Sequence, residues 1–173
     1  MSVAAGGTFS RRTLMALMED KPGVLSRVVN LFRRRNYNIE SLSVGHSEIP
    51  GISRMTVVVY ANDAVTEQVI KQLYKLVNVT KISEITDDAS IVRELALIKV
   101  HATSADRGEI KELVDIFRAQ IIDVSLESMT IEVTGTEDKV DSLINMLKPF
   151  GIRELARTGR VAMTRGATSN GAR

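Results

Sequence analysis

Apolar residues recur three and four positions apart in four segments of the chain, which places them on one face of an α-helix. A residue that favours a helix start precedes three of these segments, at Asp63, Asp106 and Thr136. The pattern therefore predicts four amphipathic helices. Their apolar positions are Leu25, Val28, Val29 and Phe32 in the first, Val69, Ile70, Leu73, Leu76 and Val77 in the second, Ile110, Leu113, Val114 and Phe117 in the third, and Val140, Leu143, Ile144 and Leu147 in the fourth.

The segments around these helices carry short runs of apolar and β-branched residues, which are typical of strands. Residues 56–60, where three valines follow a threonine, are one such run. Strands are predicted at residues 13–18, 39–46, 54–61, 79–85, 95–102, 121–126, 129–134 and 152–156, and 161–163 is a candidate for a further edge strand.

Each half of the chain then follows the order strand, helix, strand, strand, helix, strand. This is the order of the ferredoxin-like fold, an α+β architecture with two helices on one face of an antiparallel sheet. We predict two tandem ferredoxin-like βαββαβ domains at residues 11–86 and 92–165, joined by a polar linker at 86–90. Residues 1–10 and 166–173 are predicted to be flexible ends.

Domains of this size leave sheet edges uncovered. A unit of roughly 70 to 80 residues has a modest core and open edges that invite pairing. Side-by-side pairing of sheets, between the halves or between chains, would cover the open edges and add buried apolar surface to the modest core. We therefore expect a homodimer or a higher oligomer.

The composition argues against several classes of site and partner. The chain has no cysteine, so disulfides and thiolate metal sites are excluded and the cytoplasm is the expected compartment. Its only histidines, His46 and His101, lie in separate halves, and we expect neither a metal site nor catalysis. No apolar run approaches the roughly 20 residues of a membrane helix, so no membrane partner is expected. With a net charge of +2 and 4% aromatic residues, no nucleic-acid partner is expected either.

The segment with the clearest chemistry joins the first strand to the first helix. Pro22 lacks an N–H group, which is harmless where a helix begins, and Gly23 allows a ligand to approach the backbone closely. The N–H groups of Gly23, Val24 and Leu25 are then left as donors for a carboxylate, aided by the helix dipole. A small acid is the expected ligand.

Two further side chains are suited to an ammonium group. The carboxylate of Asp20 can pair with it, and Asn38 offers an amide oxygen close to a backbone carbonyl. An amino acid carries both charges and fits both sets of groups. The same residues are also typical of an ordinary helix start, with an aspartate cap and a Pro-Gly turn, so the spacing alone leaves both interpretations open.

Several segments together carry a resemblance that extends from about Thr13 to Gly166 without large gaps. They are residues 19–27, 35–42, 53–56, 72–79, 93–100, 116–124, 150–154 and 156–159. In these segments the chain resembles the ACT-domain family and, within it, the regulatory (small) subunits of acetohydroxyacid synthase, also called acetolactate synthase.

The resemblance implies a non-catalytic regulatory subunit of a thiamine-diphosphate enzyme that acts at the start of branched-chain amino-acid synthesis. Such a subunit raises the activity of the catalytic (large) subunit and confers feedback inhibition by valine, or by leucine or isoleucine. No cofactor is expected in this chain. Thiamine diphosphate, Mg and FAD are expected in the catalytic partner.

In the resembled family the effector lies between two ACT domains of a dimer. One chain is expected to contribute the turn and the other the start of the second strand. The effector-binding residues implied here are Asp20, Pro22, Gly23, Val24 and Leu25 in the turn, and Asn38 and Ile39 at the strand start. Several relatives carry Asn at the position of Asp20, and an aspartate there still suits an ammonium group.

Three other functions fit the same fold. A different amino-acid-sensing ACT regulator would use the same turn. An RNA-binding ferredoxin-like module would bind single strands in a salt-sensitive way. An enzyme acting on a small carboxylate would need a nucleophile or an acid–base pair, and the sequence shows no such set.

Overall fold

The computed structural model describes residues 7–86 and 90–166 of the chain. These residues group into two compact units. One unit contains residues 7–86, 90–91 and 160–166, and the other contains residues 92–159. Residues 160–165, which the sequence prediction placed in the C-terminal domain, therefore group with the N-terminal unit. Of the predicted linker and ends, residues 87–89, 1–6 and 167–173 lie outside the described residues.

The N-terminal unit is a four-stranded antiparallel sheet with two helices. Its strands follow the order β2-β3-β1-β4 across the sheet, so β2 and β4 are the edges. The elements are β1 (Ser10–Glu19), α1 (Val24–Arg34), β2 (Ile39–His46), β3 (Ile52–Ala61), α2 (Asp63–Leu73) and β4 (Val79–Glu84).

The second unit repeats this arrangement with the order β6-β7-β5-β8. The two sheets with their paired helices confirm the predicted α+β fold. The elements are β5 (Ser90–His101), α3 (Arg107–Ile116), β6 (Gln120–Val124), β7 (Ser128–Gly135), α4 (Glu137–Leu147), a short 3₁₀ turn (Lys148–Phe150) and β8 (Ile152–Arg157). Strand β9 (Val161–Thr164) groups with the N-terminal unit and pairs with β5, whose first two residues belong to that unit as well.

Each unit has its own apolar core between sheet and helices. In the N-terminal unit, alternate residues of β1 and β3 pack against both helices, as a strand period of two requires. The largest fully buried side chains there include Leu14, Met55 and Phe32. In the second unit Ile98, Ile131 and the apolar face of α4 take the same positions.

Helix α1 is oriented differently from the prediction. Val24, Val28 and Phe32 are buried, whereas Leu25 is 39% and Val29 40% exposed. The buried residues, which are spaced four apart, form a row that faces the sheet. Leu25 and Val29 form the neighbouring row, which lies beside it. Two apolar side chains therefore remain at the surface close to the start of the helix.

The centre of the N-terminal sheet is also buried on the face that points away from the helices. Thr13, Met15, Thr56 and Val58 lie on this face and are at most 8% exposed. An RNA-binding sheet needs this face open, with aromatic residues on its central strands. The buried centre of this face, with Tyr60 as the single aromatic residue on the two central strands, counts against the RNA-binding alternative.

Candidate functional site

The turn between β1 and α1 ends in a glycine with a left-handed backbone. Gly23 has φ 84° and ψ −10° and is the N-cap of α1, and no side chain caps the helix. A residue with a Cβ rarely adopts this conformation, which explains the glycine. The sequence suggested that Pro22 lies in the first helical turn. In the structure it precedes the cap residue. The turn is fixed from the other side by the Asp20 N–H, which donates to the Gly51 carbonyl at 2.8 Å.

Backbone donors remain available at the start of α1. Among the described residues, the N–H groups of Gly23, Leu25 and Ser26 have no acceptor. The Val24 N–H differs from expectation, because it donates to the Lys21 carbonyl at 3.3 Å. Three uncapped N–H groups at the positive end of a helix form a favourable position for a carboxylate. Sequence reasoning missed Ser26, although every helix start leaves its first few N–H groups without intrahelical partners.

A carboxylate and an imidazole lie beside these donors. Asp20 Oδ2 is 3.1 Å from His46 Nδ1, at the end of β2. Both side chains are exposed, His46 by 87% and Asp20 by 44%. Asp20 therefore presents its charge to solvent at the mouth of the turn. His46 was missed as a neighbour of the turn because the pairing that brings β2 to β1 through β3 is not visible in the local sequence.

The neighbouring carboxylate is already engaged within the unit. The Asn78 amide donates to Glu19, and Lys21 Nζ lies 3.3 Å from the same carboxylate. The hydrogen bond from Asn78, followed by that from Lys21, lowers the pKa of Glu19. Of these two adjacent acids, Asp20 is thus the one that is oriented toward the outside.

An apolar surface adjoins the donors. The exposed side chains of Leu25 and Val29 lie one helical turn apart on α1, next to the N–H groups of the first turn. The site therefore combines anion donors, an exposed carboxylate and an apolar flank. This combination suits a small molecule that carries a carboxylate, an ammonium group and an aliphatic side chain.

The other predicted half of the site lies at the opposite end of the same sheet. Asn38 is exposed immediately before β2, and Ile39 pairs with Val59. Glu19, at the turn, pairs with Ile52. These two partners are seven residues apart along β3, which is roughly 23 Å at about 3.3 Å per residue. One chain therefore does not bring Asn38 and Ile39 to its own turn.

The histidines do not form a metal centre. Within the described ranges no group of three or more His, Cys, Asp or Glu side chains could hold a metal ion. In the same ranges, no helix combines the length and apolar character needed to cross a membrane.

Comparison with known proteins identifies the family. Residues 14–81 match the model of the AHAS small subunit-like ACT domain, and residues 93–166 match that of the small subunit of acetolactate synthase. A probable acetolactate synthase small subunit of Archaeoglobus fulgidus is 59% identical over 156 residues, which cover 90% of this chain and 98% of the relative. The chain belongs to the acetolactate synthase small-subunit family.

Further members of the small-subunit family agree in sequence and in structure. The acetolactate synthase small subunit of Mycolicibacterium smegmatis is 54% identical over 92% of this chain and 94% of its own length. The crystal structure of the small subunit from Thermotoga maritima superimposes with a TM-score of 0.87 at 46% identity, over 91% of this chain and 98% of that one. The resemblance noted in the sequence is thereby confirmed, together with the ACT-domain fold of the N-terminal unit.

Proposed function

We propose that the chain is the non-catalytic regulatory subunit of acetolactate synthase and that it makes the catalytic subunit sensitive to valine or another branched-chain amino acid. Membership of the small-subunit family supports the partner. The uncapped start of α1, with three N–H groups open to a carboxylate, is the observation that carries the effector site. The adjacent Asp20 and the exposed Leu25 suit the ammonium group and the aliphatic side chain.

The effector site is composite in this proposal. Asn38 and Ile39 lie at the far end of the sheet from the turn, so they reach an effector only from a second copy. Strand β2 is an edge of its sheet, and Val44 on it is 41% exposed. Antiparallel pairing of two β2 edges across a two-fold axis would set the start of one strand beside the His46 end of the other. Asn38 of one copy then faces Asp20 of its neighbour.

The chemistry of such a site matches an amino acid at both ends. Backbone donors and the helix dipole stabilise the carboxylate, and Asp20 with the amide oxygen of the neighbouring Asn38 holds the ammonium group. An effector that binds one arrangement of the dimer better shifts the population toward it, with a coupling of about 1–3 kcal/mol in typical cases. The effector thereby controls how strongly the dimer activates its partner.

No step of the catalytic reaction is assigned to this chain. Thiamine diphosphate, Mg and FAD belong to the catalytic subunit in this proposal, and both subunits act in the cytoplasm. A different amino-acid-sensing ACT regulator would share the turn, but the family relationship extends through both units. Acetolactate synthase is therefore the favoured partner.

Reconstitution with the catalytic subunit tests this function. Purified chain is added to a purified acetolactate synthase catalytic subunit, and acetolactate formation from pyruvate is followed with and without valine, leucine and isoleucine. We expect activation by the chain and inhibition of the activated complex by at least one of the three. In parallel, the inhibitory amino acid should raise the thermal midpoint of the chain alone. Turnover of pyruvate by the chain alone, or a lack of activation, would contradict the proposal.

A further inference from the structure

A second possible binding site lies in a cleft between α1 and the C-terminal end of α2. The cleft has a volume of about 290 Å³, close to the lower limit of roughly 300 Å³ for small-molecule pockets. It contains three arginines, two amide side chains and two leucines. The lining residues are Arg27, Arg34, Arg35, Asn30, Gln72, Leu31 and Leu76.

Neutral amide groups orient two of the three guanidinium groups in this cleft, so their positive charge is not neutralised. Arg27 Nη1 donates to the Asn78 amide oxygen at 2.7 Å, and Arg35 Nη2 donates to the Gln72 amide oxygen at 3.0 Å. An amide oxygen orients a guanidinium group but brings no negative charge. None of the lining residues is acidic. The carboxylate of Glu19 is bound to the amide nitrogen of Asn78, which therefore stands between it and Arg27.

Arg34 lies on the same face of α1 as Arg27, two turns further along the helix. Within residues 7–86 and 90–166 its side chain makes no hydrogen bond or ion pair. Two pre-oriented guanidinium groups and a third without a partner therefore line one cleft. An anion that entered it would meet donors whose rotamers are already partly fixed, which lowers the entropic cost of binding.

Arginines at the end of a helix often serve only to complement its dipole. Here the carbonyls of the last turns already have backbone donors. Leu31 and Phe32 accept from the Arg35 N–H, and the Gln72 and Leu73 carbonyls accept from the two residues that follow Tyr74. The guanidinium groups are therefore not needed as caps. Arg33 occupies the same last turn without lining the cleft, so it provides a natural control for the dipole effect.

We propose that this cleft binds an organic phosphate monoester, separately from the effector site at the Gly23 turn. Guanidinium groups match the oxygen geometry of a phosphate dianion and donate paired hydrogen bonds to it. Leu31 and Leu76 supply an apolar surface for the organic group. The proposal does not depend on which amino acid binds at the turn.

The test uses the full chain with phenyl phosphate as the probe, in calorimetric titrations at constant ionic strength. We expect saturable binding to the wild type, and weaker binding of inorganic phosphate, which lacks an apolar group. Arg34→Gln should weaken phenyl phosphate binding by about tenfold or more, since it removes a charge-assisted donor. Arg33→Gln removes the same charge from the same helix end and should change the affinity less than twofold.

A structural readout and a second site variant complete the design. In NMR spectra, phenyl phosphate should shift the side-chain Nε–Hε signals of Arg27, Arg34 and Arg35 more than that of Arg33. Gly23→Asp alters the turn and not the cleft, so it should leave phenyl phosphate binding intact. The cleft can therefore be tested whether or not an amino acid binds at the turn. Equal losses in Arg33→Gln and Arg34→Gln would overturn the proposal, as would a lack of saturation into the millimolar range. Weaker association of Arg34→Gln with the catalytic subunit, without phenyl phosphate binding, would instead identify an acidic protein segment as the occupant.

Discussion

The two units of the chain begin their first helix in the same topological position but with opposite chemistry. In the N-terminal unit, β1 leads through Gly23 into α1, and no side chain caps the helix. In the second unit, β5 leads through Asp106 into α3. No side chain caps this helix either, but the carboxylate of Asp106 accepts from both the N–H and the hydroxyl of Thr103. We call the first turn open, because its cap residue has no side chain, and the second turn closed, because the carboxylate of its cap residue bonds back to Thr103.

The carboxylate of Asp106 makes the closed turn less suited to a carboxylate ligand than the open turn. Asp106 places a fixed negative charge at the start of α3, and its pKa is lowered by the hydrogen bonds from Thr103, the side-chain bond contributing more than the backbone bond. A ligand carboxylate would be repelled by this group. The Arg107 side chain donates to the carbonyls of Ser125 and Leu126, which fixes the turn further. The same fold thus leaves the cap of one turn without a charged side chain and places a fixed carboxylate at the cap of the other.

The most direct test of the difference between the two turns is to place an anion in the open turn. Gly23→Asp should weaken the inhibitory amino acid by roughly a hundredfold or more, because like charges brought together cost several kcal/mol. The added Cβ meets no atom within 4 Å, so no clash with a neighbouring residue is expected, but the φ of +84° strains the backbone of any residue that replaces the glycine. Calorimetric titration of the variant measures the effect.

Gly23→Asn is the matched control for this variant. Asn and Asp have nearly the same shape and both tolerate a left-handed backbone, so the charge is the main difference between the two variants. Gly23→Asn should therefore keep most of the affinity. Equal loss in both variants would mean that backbone strain, and not charge, governs binding at the turn.

A smaller effect is expected at the far end of the sheet. Asn38→Ala removes one hydrogen bond to the ammonium group and should weaken effector binding by about tenfold. The same titration measures it, with the thermal midpoint of the free protein as a control for folding. An unchanged affinity would show that the strand start takes no part in the site.

Mixed dimers separate a composite site from two independent ones. One copy carries Gly23→Asp, the other carries Asn38→Ala, and dimers that contain both are isolated with two different affinity tags. The intact turn of the second copy then meets the intact Asn38 of the first. We expect one site of wild-type affinity per dimer, measured as half the wild-type stoichiometry. A mixed dimer without any high-affinity site would contradict the composite arrangement.

The smallest effect concerns the closed turn. A lowered pKa in the folded state means that Asp106 stabilises the protein above the ordinary carboxyl pKa and that this stabilisation is lost as pH falls through the folded value. Asp106→Ala should therefore unfold more easily than the wild type at neutral pH, and the difference should close on acidification. Denaturant unfolding at a series of pH values measures it. A difference that does not change with pH would exclude the charged hydrogen bonds as its cause.

Much of the fold follows from local patterns in the sequence. The predicted bounds of β2 coincide with the observed ones, and the four apolar positions of α4 are all buried. Helix α1 was predicted less well, because Leu25 and Val29 satisfy the same spacing as the buried row beside them. When two neighbouring rows of a helix are both apolar, the spacing alone does not show which row is buried. Tertiary packing decides between them.

The open N–H groups of the candidate site could be predicted from the sequence, but its geometry could not. The Pro-Gly turn indicated open N–H groups, whereas the left-handed cap at Gly23 and the Val24 hydrogen bond depend on how the chain leaves β1. The proximity of His46 to Asp20, and the distance of Asn38 from both, follow from strand register. Register is set by long-range pairing, which a short motif does not encode.

The separation of Asn38 from the turn has a consequence for how the protein responds to its environment. If each effector molecule is held by two copies, then binding and self-association are linked, and each strengthens the other by the same factor. The response would then depend on the concentration of the protein as well as on that of the amino acid. Dilution below the dimer dissociation constant would weaken the sensor even at a fixed level of effector.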